Sequence, residues 1–139
     1  MISVIPPEVC PSTRCPFCNS GESHVIFESE LVRGVWDGYP VSDGHALLVP
    51  KRHFATWFEA EAAEQGELLA GVDRVREAIE SRYKPDGYNI GVNSGPAAGQ
   101  TVAHLHLHVI PRYKGDVADP RGGIRWVIPR KADYWSKEG

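Results

Sequence analysis

The sequence predicts an α+β fold built on a mostly antiparallel sheet. Three observations carry that expectation. Short β-prone runs separated by turn residues recur in both halves of the chain. One long stretch repeats its apolar residues at three- and four-residue steps. From Val102 to Val109, histidine alternates with aliphatic residues.

In chain order, residues 1–23 are rich in Pro, Cys, Ser and Gly and form a turn-rich arm. His24–Phe27 and Leu31–Trp36 are expected as two strands joined by a tight turn. Gly38-Tyr39-Pro40 and Ser42-Asp43-Gly44 punctuate loops, and His45–Val49 is a further strand ended by Pro50. Thr56 and Glu59 have the form of a capping box. The long helix follows, with Leu68, Leu69, Val72, Val75 and Ile79 on its apolar side and Glu67, Arg74, Glu77 and Glu80 on the other. Such a helix covers a sheet, and Pro85-Asp86-Gly87 stops it. Tyr88–Asn93 is a strand, Ser94–Gly99 a small-residue loop, and the histidine segment a last strand closed by Pro111. A tail begins at about residue 113.

The chain's 139 residues fit a single domain over 1–139. A net charge of -3 offers no general attraction to a nucleic-acid polymer, though a single nucleotide needs only a few local donors. No apolar run is long enough to span a membrane, and the N-terminus lacks the pattern of a signal peptide. These features point to the cytoplasm. Cys10, Cys15 and Cys18 are too few for a disulfide framework.

On a strand, His104, His106 and His108 share one face, with about 6.6 Å between neighbours, and Leu105, Leu107 and Val109 share the other. The histidines could lie idle on the surface, bind one metal together, or divide structural and catalytic work. Cys15-Pro-Phe-Cys18 is a CxxC pair set in a Pro-rich arm rather than at a strand-to-helix turn, which argues against a redox motif. A tetrahedral zinc site would need two more ligands, with His24, His45, His53 and the triplet as candidates.

Gly99-Gln-Thr-Val102 followed by His104-Leu-His106-Leu-His108-Val-Ile-Pro-Arg112 resembles the histidine triad (HIT) family of nucleotide hydrolases and transferases. The likeness extends back to about Cys15 through Asp37–Pro40, Gly44-His45, Val49-Pro-Lys-Arg-His53 and Tyr88–Asn93. It implies a sheet of about five strands with one long helix and a short one, in a homodimer whose sheets continue across the interface. It implies His106 as nucleophile on the α-phosphorus of a nucleotide, its other nitrogen held by the carbonyl of His104, and His108 on a phosphate or leaving oxygen. Asn93, Gln100 and Thr101 match phosphate-contacting positions, and Asp37 the acceptor for the ribose hydroxyls. Phe17, Trp36 and Ile26 are candidates for base contact.

The resemblance to a zinc-holding branch implies a structural Zn2+ on Cys15, Cys18, His53 and His104, with His45 structural and Cys10 a free thiol. Asp119–Trp126 departs from the motif set. Arg121, Arg125 and Trp126 could grip a second nucleotide or form a seam between subunits. The expected substrate is a dinucleoside polyphosphate of the Ap4A type. A nucleoside phosphoramidate is the enzymatic alternative, and a nucleotide-binding regulatory module the non-enzymatic one.

Overall fold

The β-branched and aliphatic runs become five strands: β1 (Val25–Glu28), β2 (Val32–Trp36), β3 (Ala46–Pro50), β4 (Gly87–Val92) and β5 (Leu107–Arg112). The computed structural model describes residues 15–19 and 21–136; residues 1–14 of the expected arm, with Cys10, lie outside them. The strands pair antiparallel in the order β1-β2-β3-β5-β4. Every residue of β3, the central strand, is buried. The Thr56–Glu59 capping box forms on the short 3-10 turn Trp57–Glu59, ahead of the long helix.

Helix α1 (Ala62–Glu80) turns Glu64, Leu68, Gly71, Val75 and Ile79 inward, a stripe at steps of four and three. Leu69, expected on that stripe, is exposed, because its place beside Leu68 rotates it about 100° away. A short helix α2 (Pro129–Ala132) lies near the end of the described residues. No helix among the described residues is long and apolar enough to cross a membrane.

Two glycines set the distance between helix and sheet. A Cβ on Gly71 would lie 2.6 Å from Leu48 Cδ2, and one on Gly34 would lie 2.5 Å from the Phe27 ring and 2.8 Å from Val75 Cγ1. The helix therefore rests on the sheet backbone, over a core of Leu48, Leu68, Val75, Ile79 and Leu105. Val35, Leu47 and Val49 form a separate apolar cluster with Phe17 and Val25. Alternation along β2 and β3 places that cluster on the sheet face opposite the helix.

The histidine strand differs from its expected limits. It starts at Leu107, paired to Leu48 and Val92, and it runs past Pro111 to Arg112. Extending the β3–β5 register would set Leu105 opposite Pro50, which has no N–H to donate. The Pro50 carbonyl instead accepts from His104 Nε2–H at 2.8 Å, and Leu105 N–H turns to the Phe54 carbonyl at 2.8 Å. The chain leaves the sheet there, so His104 and Leu105 are both fully buried and the alternation breaks.

The loop after β3 is held by a buried carboxylate. Arg52 donates through Nε and Nη2 to the two oxygens of Glu64, at 3.0 and 2.8 Å. This fork holds the Glu64 carboxyl below its ordinary pKa.

Two outcomes follow. Gly34→Ala should lose about 1–3 kcal/mol of unfolding free energy in urea titrations, because the added methyl overpacks the helix–sheet contact. The lowered pKa of Glu64 means its contribution is complete above the ordinary Glu pKa of about 4.3 and lost as pH falls through the folded value. Glu64→Gln should therefore be less stable at pH 7, yet lose less stability than the wild type between pH 7 and pH 3, as read by chemical unfolding.

Candidate active site

Three remote segments meet where the sequence left its ligand candidates open. The turn at 15–19, the loop after β3 and the segment before β5 bring Cys15, Cys18, His53 and His104 together, with one ligand atom of each within 4.8 Å of the others. Cys18 Sγ lies 3.2 Å from His53 Nδ1 and 3.5 Å from His104 Nδ1, and Cys15 Sγ lies 3.6 Å from His104 Nδ1. The two Nδ1 atoms are 3.1 Å apart. A tetrahedron with Zn–N of about 2.0–2.1 Å and Zn–S of about 2.3 Å has edges of roughly 3.3–3.8 Å, close to this spacing. His104 Nε2 carries a proton to the Pro50 carbonyl, which leaves the Nδ1 lone pair facing the cluster. One buried and one part-buried imidazole nitrogen and two thiols facing one point fit a shared cation. Burial holds His104 down at about 4 and lowers His53, so both imidazoles are neutral, as ligands must be.

His104 also orients its neighbour. Its carbonyl lies 2.9 Å from His106 Nδ1, which places the proton there and leaves the His106 Nε2 lone pair free. The His106 and His108 rings lie 5.0 Å apart between centroids.

A second chain of hydrogen bonds fixes His108. Val41 N–H donates to His45 Nδ1 at 3.1 Å, so His45 is protonated on Nε2. That N–H lies 3.0 Å from His108 Nδ1 and 3.3 Å from Asp37 Oδ2. His108 accepts on Nδ1 and so carries its own proton on Nε2. Burial holds His108 at about 4 and lowers His45, which keeps the relay neutral. The pair thus offers one imidazole with a bare nitrogen and one with a fixed N–H.

The match with known proteins agrees with this geometry. A family model described as the HIT domain matches residues 19–115. The chain belongs to the HIT family. An uncharacterised HIT-like protein of Methanocaldococcus jannaschii is 41% identical over 106 residues, covering 73% of this chain and 81% of that one. A protein of Mycobacterium tuberculosis named AP-4-A phosphorylase is 36% identical over 107 residues, covering 76% of this chain and 55% of its own length. This chain therefore spans about half of that relative. The crystal structure of a zinc-bound histidine triad family protein from Mycobacterium smegmatis superposes with a TM-score of 0.67 at 34% identity, covering 76% of this chain and 80% of that one. The family is one of nucleotide hydrolases and transferases.

Within this HIT domain, two clefts of about 290 Å³ border the histidine region. Phe17, Val35, Trp36 and Gly38 line one. The Phe17 ring stands 4.8 Å from that of His106. Trp36 also borders this cleft, but its ring packs against the helix-side core, with Arg82 5.0 Å over it. Val35, on the histidine face, is the wall that sequence reading missed, and Ile26 also packs into the helix-side core. The second cleft holds His108 and Asn93 among apolar neighbours, including Ile90, Ile124 and Val127.

Several other loop and tail groups bond within the chain. The Gln100 amide donates to the carbonyls of Ala55 and Val102 at 2.7 and 3.0 Å and accepts from Gly95 N–H at 2.8 Å. Gln100 thereby braces the loop. Gly99 and Gln100 N–H groups also bond within the loop, while Thr101 is exposed. Asp37 accepts from Tyr39 N–H at 2.7 Å besides facing His45. In the tail, Arg121 pairs with Asp119 and lies over Trp135. Arg125 donates to the Ala132 and Lys131 carbonyls, and Trp126 to that of Arg121. These groups fold the tail on itself, with Arg121 and Trp126 still exposed.

The tautomers are open to direct measurement. Long-range 1H–15N NMR at neutral pH should show His106 protonated on Nδ1 and His45 and His108 on Nε2. An Nδ1–H signal on His108 would break the relay.

Proposed function

We propose that this chain cleaves a nucleotide conjugate at its α-phosphate through a covalent nucleotidyl-histidine intermediate on His106. The observation that carries this reading is the pairing of a bare His106 Nε2, oriented by the His104 carbonyl, with the fixed Nε2–H of His108. The His106 lone pair forms a P–N bond while the bond from phosphorus to the leaving group breaks, its electron pair going to the leaving atom. His108 Nε2–H donates to a phosphoryl or leaving oxygen and offsets the developing charge. Water then attacks the same phosphorus, the P–N bond breaks, and nucleoside monophosphate leaves. Asn93, which lines the cleft with His108, and Thr101, on the loop before the histidines, serve as phosphate contacts. Gln100 serves by holding the loop. Phe17 and Val35 frame the base cleft, and Asp37, which follows cleft-lining Trp36 in the chain, takes the ribose hydroxyls.

The dinucleoside polyphosphate reading draws support from the name of the mycobacterial relative. The apolar cleft beside His108 favours a second reading, an uncharged leaving group such as the amine of a phosphoramidate. Zinc on Cys15, Cys18, His53 and His104 would act as a closed structural centre with no open coordination position, bracing the segment that carries His106. Two thiolate ligands suit a reducing compartment such as the cytoplasm. β4 is a sheet edge with half-exposed Ile90 beside exposed Ile124 and Val127, and it is the edge across which two protomers would join their sheets.

The deciding experiment compares turnover of a dinucleoside tetraphosphate and an adenosine phosphoramidate by wild type and His106→Asn. Loss of the nucleophile should lower kcat by about 10³-fold or more on whichever substrate is turned over. Undiminished turnover would overturn the assignment. Protein purified without chelator should carry one zinc per chain by elemental analysis, and Cys18→Ser should lose it.

A further inference from the structure

The CxxC turn does more than supply two sulfurs. Between its cysteines sits Phe17, whose ring leaves the metal cluster and enters the nucleotide side of the site. It packs 4.8 Å from the His106 ring, tilted at 46°, and 5.8 Å edge-on from the His104 ring. It joins Val35, Leu47 and Val49 in the apolar cluster on the histidine face. It also lines the cleft with Val35 and Gly38. One aromatic side chain therefore touches a metal-cluster histidine, the nucleophile and the wall of the base cleft.

The turn is closed by Asn19, whose backbone N–H and side-chain amide both donate to the Cys15 carbonyl, at 3.2 and 3.0 Å. It spans five described residues and has no strand pairing of its own. The flanking thiols, set against His53 and His104, anchor it to the rest of the fold. A cation bound to those four groups would fix both ends of the dipeptide that carries Phe17. Without it, the thiols and Nδ1 lone pairs that face one another gain little by staying together.

We propose that the metal centre controls nucleotide affinity through Phe17, a positioning residue that transmits ligation at Cys15 and Cys18 to the base cleft and to the ring of His106. This rests on the nucleotide and metal reading above and extends it. The centre then sets how tightly the nucleotide is held, besides bracing the fold. By linkage, nucleotide must in turn tighten the hold on metal.

The test uses the full chain as wild type and as Phe17→Ala, each metal-loaded and chelator-stripped, with AMP binding measured by calorimetry. Loaded wild type should bind AMP. Stripping it and substituting Phe17 should each weaken AMP about tenfold, within the range for loss of an aromatic wall against a base. Stripping Phe17→Ala should cost almost nothing more, since the two changes remove one interaction. A second measurement needs only folded, loaded protein: the rate of zinc loss to a competing chelator with saturating AMP. AMP should slow that loss in wild type and leave it unchanged in Phe17→Ala. Equal weakening by stripping in both backgrounds, or protection by AMP that persists without Phe17, would overturn the proposal. Absence of AMP binding to loaded wild type would remove the nucleotide reading and this inference with it. Binding that ignores the metal would remove this inference alone.

Discussion

His104 is fully buried, and both its ring nitrogens and its carbonyl have partners. Its Nε2–H is tied to the carbonyl of Pro50, its Nδ1 faces Cys15, Cys18 and His53, and its own carbonyl holds the Nδ1 proton of His106. A buried imidazole must satisfy both nitrogens. Here the partners come from the end of β3, the loop after it and the turn at 15–19. The place where β5 begins, the tautomer of His106 and the position of Phe17 all follow from how that one residue is satisfied.

The sheet makes this possible by giving each face one task. Gly34 and Gly71 let helix α1 sit close on one face, so the core closes there without disturbing the other. The opposite face keeps Val35, Leu47 and Val49 as a floor for Phe17 and the histidine pair. His108 lies opposite Leu47 in the ladder, so the regular strand carries it. His106 stands just before the strand starts and takes its orientation from a side-chain-to-backbone bond. A rigid strand thus presents His108 with its fixed N–H, and a locally bonded segment presents the nucleophile candidate.

The second histidine relay has no local logic. Val41 N–H, His45 and His108 are brought together only because β3 pairs with β5 and the loop before β3 folds back. Its effect is chemical all the same: it decides which nitrogen of His108 holds the proton. The Arg52–Glu64 fork works the same way one level further out, tying the loop that carries His53 to the start of helix α1.

Spacing and turn residues along the chain determined several strands, the long helix, a histidine constellation and a CxxC pair. The count of five strands and the joining of the cysteines to the histidines came from the family resemblance. The Gly99–Thr101 lead-in and the triplet also carried the family. Spacing could not show that the alternation fails at Leu105, since that depends on Pro50 standing opposite and lacking an N–H. Nor could it show that Leu69 faces out, that Trp36 turns toward the helix, or that Gln100, Arg121 and Arg125 have partners within the chain. Each of those outcomes is a competition for hydrogen bonds or buried area among segments far apart in sequence. Only the folded chain decides such competitions.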